Sequence, residues 1–406
     1  MQRGKNVQMS STSAPPPVLF VTEARLARLA DGSVVSPDGV NGDAQWRDYL
    51  PEAAPIALSA RVALGVDGQN SSPETQVTIP RVVPVHHYEG LRGFLVSLPR
   101  VVADLDRAVR DAGLVVVRVP GFLGYVAAGL SLARRKPMAA EVVGDPLDVM
   151  NALHGTSRAG RAAACAAALA LRTITSRAAA VRYVTEAALQ RRYPARKGTP
   201  TMALGNVRLP IEAYRDAVRS VDPQEPLRLL VIGSQNNRYK GHDTALRVLA
   251  LLRRRRDAFL TLIGDGAMHD TYRELAAELG IESSVRFLGH VTDRSVIHAE
   301  MDRADVMLMP SRTEGLPRVI NEAHARSLPV VGARVGGIPE QVVDAYLVDP
   351  EDIDGYAQCV EHLADDADAY ASESRRAYAR ALELNEGVRR RRFREWGQIL
   401  AGLRRA

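Results

Sequence analysis

The chain has 406 residues, 46% hydrophobic and 25% charged, an ordinary globular composition long enough for two domains with separate cores. Its formal charge of +6 and isoelectric point near 9.4 favour anionic partners, but the arginines are spread along the chain, so charge alone does not choose between nucleotide, nucleic acid and membrane surface. Cys165 and Cys359 stand far apart without metal-ligand spacing, which excludes a disulfide framework and fits a reducing cytoplasm.

Residues 1–17, ending Ser-Ala-Pro-Pro-Pro, are polar and lack the apolar core of a signal peptide, so they read as a disordered leader. Short apolar runs then alternate with helical patterns: VLFVT, IALSARVAL, a helix over 91–112, LVVVRVP, a helix over 122–134, MAAEVVG and VRYVT. The most apolar run, Ala162–Leu171, is ten residues long. A bilayer needs about 20, so a packed or interfacial helix is expected there. The polar, Pro-bearing stretch 206–226 places a hinge.

From Leu227 the alternation becomes regular: LRLLVIG and a helix over 244–256, FLTLIG and a helix over 269–279, VRFLG and a helix over 292–301, DVMLMP and a helix after Pro317, PVVGA and a helix after Pro339. Continuous apolar strands separated by helices indicate an α/β fold with a parallel sheet covered on both faces, and ligands at the carboxyl ends of the strands. After Asp366 the chain is helical and increasingly basic, through Arg389–Arg392.

The segment Ser311–Glu322 reads SRTEGLPRVINE. Pro317 suits the first helical position, which sets the amides of Gly315 and Leu316 at a helix entrance that attracts anions. Gly315 lets another molecule approach the backbone closely. Glu314 precedes the entrance, and Glu322 lies roughly 7 Å along the helix axis from Pro317. The two acids can bracket a sugar nucleotide, because carboxylates accept hydrogen bonds from sugar hydroxyls. Either acid alone reads more readily as a solvent-facing or dipole-favoured Glu, and the surrounding signals decide.

The other strand-end loops add to this. The loop Gly233–Gly241 delivers Lys240 just before a helix expected to be capped by Asp243; Lys240 suits a phosphate, and Arg238 is a second cation with a weaker claim. Gly264 and Gly266 form a Gly-rich turn, a pattern that alone is more often a tight β-to-α connection. Phe287 and Leu288 offer a base an apolar wall and backbone groups, or are a core Phe and its turn. Gly336-Gly337-Ile338-Pro339-Glu340 repeats the pattern of a Gly loop feeding a helix. Asp104, Asp106, Asp352 and Asp354 lie in or beside helical patterns away from these loops, so no metal site is expected.

In their order and spacing these residues resemble the nucleotide-binding domain of family 4 retaining glycosyltransferases, which have the B-type fold of two Rossmann-like domains facing across a deep cleft. The likeness covers roughly 227–362, and Glu314-Gly315-Leu316-Pro317 with Glu322 is its most specific element. The resemblance implies an acceptor-binding domain at 18–208, a nucleotide-sugar-binding domain at 209–380 and a helix over 381–406 crossing back to the first. It implies a UDP- or GDP-linked sugar as donor, no cofactor and no metal. It would put Lys240 on the diphosphate, Glu314 on the transferred sugar with Gly315, Leu316 and Pro317 beside it, and Glu322 on the ribose. The acceptor would attack from the face the diphosphate leaves, assisted by the leaving phosphate. Two departures stand out. Ser234 occupies the place of a usual Arg, so either Arg238 substitutes or the diphosphate relies on Lys240 and the helix dipole, and Asp145 stands where a donor-contacting His is usual and would take over a sugar-hydroxyl contact, unless it only forms the turn before Pro146.

The first half resembles bacterial glycosyltransferases of polysaccharide and related biosynthetic clusters, through Thr22–Arg25, Asp38-Gly39, Trp46–Leu50, Arg118–Gly121 and Glu141–Pro146. Gly39, Asn41 and Gly42 would form a mobile loop at the cleft; Trp46 and Tyr49 would stack on a sugar, or else serve as core aromatics. The expected acceptor is a glycan, a lipid-linked saccharide or a natural product, and the expected place is the cytoplasm, with a peripheral contact at the inner face of the membrane as an option. The competing readings are a sugar-nucleotide synthase or phosphorylase on the same fold, and a non-catalytic nucleotide-sugar scaffold. Nucleic-acid binding through the arginine runs is disfavoured, because no aromatics are interleaved with them.

Overall fold

A computed structural model of the chain describes residues 15–37, 42–47, 50–64, 76–147, 158–205, 207, 209–215 and 218–405. The leader up to residue 14, Gly39, Asn41 and Tyr49 lie outside the described residues. The chain divides into two compact units, one of residues up to 139 together with 396–406, the other of residues 140–395.

In the first unit, strands β1 (Val18–Arg28), β2 (Val34–Val35), β3 (Ile56–Leu64), β4 (Arg81–Val85) and β5 (Leu114–Val119) form a sheet in the order β4-β3-β1-β5, with β2 antiparallel beside β1 and the other pairs parallel. Val18–Val21 and Leu114–Val117 are buried along their whole length, as strands covered on both faces must be. Trp46 is fully buried edge-to-face against Phe20, with ring centroids 5.1 Å apart, so it is a core aromatic and not a platform for a sugar. Gly42 is buried where it opens the single turn Asp43–Trp46. Asp104 pairs with Arg107, and Asp106 with Arg110 and Arg134, so both acids are spent on ion pairs.

In the second unit, β6 (Met138–Val142), which straddles the division, β7 (Ala180–Tyr183) and β8 (Thr201–Ala203) stand in that order. The helix Arg158–Arg177 precedes β7 and contains the apolar run 162–171. Strands β9 (Leu227–Ile232), β10 (Ala258–Ile263), β11 (Val285–Phe287), β12 (Val306–Met309), β13 (Val330–Ala333) and β14 (Leu347–Val348) form an all-parallel sheet in the order β11-β10-β9-β12-β13-β14. This is a doubly wound order that reverses between β9 and β12, and such a reversal leaves a crevice at the carboxyl ends of the two strands.

The connecting helices run over His242–Leu252, His269–Glu278, Arg294–Arg303 and Arg318–Ala325. The first begins two residues before the expected start because Gly241, at φ 70°, is its N-cap; Asp243 lies inside the first turn and is not the cap. The last begins at Arg318, with Pro317 at the N-cap in an extended conformation instead of the first helical position. The helix expected after Pro339 is one 3-10 turn, Ile338–Glu340. Two adjacent β-branched residues, Val342 and Val343, disfavour its continuation, and Gln341 is tied by its side-chain amide to Pro317 O and Asn321 Oδ1.

The C-terminal helix spans Glu386–Arg405, and its part from Trp396 belongs to the first unit, where Arg404 donates to Ala54 O at 2.6 Å. Arg255 and Arg256 pair with Glu361 and Asp365, and Arg389 and Arg390 share Glu386, so these basic runs are partly neutralised within the chain. Among the described residues no helix is long and apolar enough to cross a membrane.

Candidate functional site

The loops leaving β9 and β12 flank the crevice where the strand order reverses. After β9, Asn237 accepts the Tyr239 amide and starts the 3-10 turn Arg238–Lys240, which Gly241 ends. After β12 come Ser311 and Glu314. The two loops meet: Lys240 Nζ donates to Glu314 Oε1 at 2.5 Å, and Ser311 Oγ donates to the same oxygen at 2.8 Å. With side chains only 16% and 10% exposed, this pair is worth more than a surface ion pair, and losing one partner would strand the other's charge.

The loop after β13 braces Glu314 from behind. Gly336 has φ 55°, and a Cβ on it would lie 1.8 Å from Glu314 O; Gly337 N donates to Gly315 O at 2.8 Å. Gly315 is short of room for another reason: its Cβ would fall 2.9 Å from Val143 O. The close approach that Gly315 was expected to offer a ligand is therefore taken by the chain's own backbone. A cleft of about 350 Å³ opens at this point, with Glu314, Gly315, Arg334, Gly336 and Gly337 on one wall and Asp145, Thr185, Arg191 and Arg192 on the other.

Several expected residues are engaged otherwise than the sequence suggests. Arg238 was expected to reach the diphosphate; its guanidinium instead donates to Asp243 at 2.6 Å, and Arg312 donates to both oxygens of the same carboxylate at 3.0 and 3.1 Å. Burial pushes Asp243 up, but these hydrogen bonds outweigh it and hold the carboxyl below its ordinary value. Asp145, expected on a sugar hydroxyl, is 4% exposed and accepts from Tyr193 OH at 2.6 Å, from Leu147 N at 2.8 Å and from Arg192. Its acceptor capacity is largely filled from within. Leu316 turns away from the cleft and lines a cavity of about 40 Å³ with Gly205, Asn321 and Gln341.

Glu322 lies on the helix Arg318–Ala325, is 8% exposed and accepts Arg294 Nη1 on Oε1 at 2.6 Å. Gly264 and Gly266 allow loop-on-loop contact: a Cβ on either would overlap Gly233 O or the Asn236 amide. Phe287 and Leu288 are half-buried at the end of β11, and the ring of His269 stands edge-on to Phe287 at 5.5 Å. Behind Lys240, His242 is fully buried and stacked on Tyr272 at 5.1 Å; burial, then the charge of Lys240, pushes its pKa down to about 4, so it is neutral.

Arg294, Arg312 and Glu340 carried no expectation as ligand contacts. Their partners lie far along the chain, and a lone Arg on a helix or loop gives no local signal of them.

Residues 226–366 match the family model for Glycosyl transferases group 1. Protein CapJ of Staphylococcus aureus is 26% identical over 311 residues, which cover 76% of this chain and 77% of that one. A GDP-mannose-dependent alpha-(1-6)-phosphatidylinositol monomannoside mannosyltransferase of Mycobacterium tuberculosis is 38% identical over 141 residues, so this chain matches about a third of that relative, 36% of its length, through 32% of its own. Among solved structures, sucrose-phosphate synthase from Thermosynechococcus elongatus superimposes with a TM-score of 0.68 at 18% identity, covering 95% of this chain and 99% of that one. Anabaena Alr3699/HepE in complex with UDP-glucose gives 0.65 at 18% identity, covering 94% and 98%.

Proposed function

We propose that this chain, a glycosyltransferase of the B-type fold whose group 1 domain spans residues 226–366, moves a sugar from a nucleoside diphosphate sugar to a hydroxyl, with retention at the anomeric carbon and without a metal. The observation that carries this reading is the meeting of Lys240, Ser311 and Glu314 at the reversal point of the β9–β14 sheet. That crevice is where open α/β sheets bind nucleotides. The donor is UDP- or GDP-linked; HepE was solved with UDP-glucose, and the mycobacterial relative is named as GDP-mannose-dependent.

In this reading Lys240 turns from Glu314 to the donor diphosphate and stabilises the charge that builds as the diphosphate leaves. Glu314, released, accepts hydrogen bonds from the transferred sugar. Glu322 accepts the ribose hydroxyls through the oxygen that Arg294 leaves open. The bond from the anomeric carbon to the phosphate oxygen breaks as the acceptor oxygen bonds to that carbon from the same face, and the acceptor proton passes to the leaving phosphate. The acceptor is a glycan, a lipid-linked saccharide or a natural product, and the reaction runs in the cytoplasm, at the inner face of the membrane where the acceptor is lipid-linked.

A thermal-shift screen of UDP, GDP and their hexose conjugates tests this. A specific ligand raises apparent stability by mass action, so one nucleotide series should raise Tm in a concentration-dependent way. No shift with either series would overturn the donor assignment.

A further inference from the structure

Glu340 closes the Gly336–Glu340 motif, and nothing in the donor chemistry uses it. Its carboxylate is spent on three consecutive backbone amides: Oε2 accepts Glu186 N at 2.5 Å, while Oε1 accepts Ala187 N at 2.9 Å and Ala188 N at 2.7 Å. These amides open the short helix Ala188–Arg192, whose own N-cap, Ala187, has no side chain that could serve. Arg380 adds a second strut, donating through Nη2 to Glu186 Oε1 at 2.6 Å and to Glu340 O at 3.3 Å.

The two segments joined in this way are the two walls of the cleft. Gly336 and Gly337 line one, a few residues before Glu340; Thr185, Ala188, Leu189, Arg191 and Arg192 line the other. Hydrogen bonds to an ionised carboxylate are roughly twice as strong as neutral ones, so three of them on one side chain form a stiff join.

We propose that Glu340 is a positioning residue that sets the width of the cleft at its sugar end. This rests on the donor reading above, which assigns the diphosphate to Lys240, the ribose to Glu322 and the transferred sugar to Glu314, and of these three only Glu314 lines the cleft with the Thr185–Arg192 wall. Cutting the join moves that wall relative to the sugar and leaves the nucleotide contacts in place. A misplacement of about 1 Å can cost about 100-fold in turnover.

The experiment compares wild type with Glu340→Ala, Glu340→Gln and Arg380→Met. Calorimetry gives Kd for whichever of UDP or GDP binds wild type, nucleotide release from the matching nucleotide hexose gives kcat and KM, and hydrogen exchange reports the amides of residues 186–188. Glu340→Ala should keep the nucleotide Kd within about threefold, lose about 30- to 100-fold in kcat/KM and exchange those amides faster. Glu340→Gln, which keeps one acceptor oxygen without the charge, should fall between. Arg380→Met, which removes the second strut together with the local ion pair to Glu383, should shift kcat/KM in the same direction by less, and it decides the matter if Glu340→Ala does not fold. The proposal is overturned if kcat/KM stays near wild type in Glu340→Ala, or if nucleotide affinity falls in step with turnover, the mark of a merely structural cap. Failure of wild type to bind UDP or GDP would instead remove the donor reading and this inference with it.

Discussion

Gly336→Ala probes how Glu314 is held. At φ 55° the residue sits in the left-handed region, where an alanine costs about 1–2 kcal/mol. The larger effect is steric. The added methyl would lie 1.8 Å from the carbonyl oxygen of Glu314 and 2.8 Å from its carbonyl carbon, both backbone atoms that cannot rotate away. Carbon–oxygen contacts rest near 3.3 Å, so the two loops must part by more than about 1 Å. Glu314 rides on that backbone with its carboxylate 2.5 Å from Lys240, and a shift of that size at a reacting centre costs about 100-fold in turnover. Nucleotide release from the donor gives kcat/KM, and thermal unfolding gives stability, with about 2–4 °C expected per kcal/mol in a domain of this size. The control is Gly280→Ala: φ is 68° there, but the added methyl meets nothing within 4 Å, so it should lower Tm and spare turnover. Retention of kcat/KM within about threefold in Gly336→Ala would refute the idea that the Gly336–Gly337 loop fixes Glu314.

Other consequences are equally direct. Lys240→Ala should lower kcat by about 100- to 1,000-fold, the loss of one preorganised partner of the leaving-group charge; near-normal release of nucleotide would remove its diphosphate role. Glu322→Ala should weaken nucleotide binding by about 1.5–3 kcal/mol, the worth of a hydrogen bond to a charged group, and unchanged calorimetric affinity for both UDP and GDP would sink the ribose assignment. His324 is fully buried, and burial first, then Arg376 and Arg380, push its pKa from 6.5 down to about 3. Between those values the unfolded chain binds the proton and the native chain does not. Its contribution is therefore whole above pH 6.5 and falls by up to about 1.4 kcal/mol per pH unit below that, down to about pH 3. His324→Leu should flatten that decline; urea unfolding at about pH 7, 6 and 5 checks it, and an unaltered decline would show that His324 is not its source.

Much of the second unit was legible because its strands are apolar on both faces and punctuated by glycines at their carboxyl ends. The runs at 227–232, 258–263, 285–287, 306–309 and 330–333 are the strands β9 to β13. Helix ends were read less well: Gly241 rather than Asp243 caps the first connecting helix, and Pro317 lies one residue outside the last. What pattern cannot convey is pairing over long distance. Lys240 and Glu314 stand 74 residues apart, and Glu340 and its amides 152 to 154 apart, so their union depends on strand order that no local signal encodes. The same limit explains Arg238, whose charge read as available until Asp243 folded beneath it, and Trp46, whose spacing fitted both a sugar platform and the core.

Lys240, Glu314 and Glu322 are held to serve one ligand, and calorimetric titration of UDP, GDP and their hexose conjugates into the full chain tests that most directly. One nucleotide series should saturate a single site, with affinity cut in both Lys240→Ala and Glu322→Ala. Absence of saturable binding by either series, or binding untouched by both substitutions, would contradict the site.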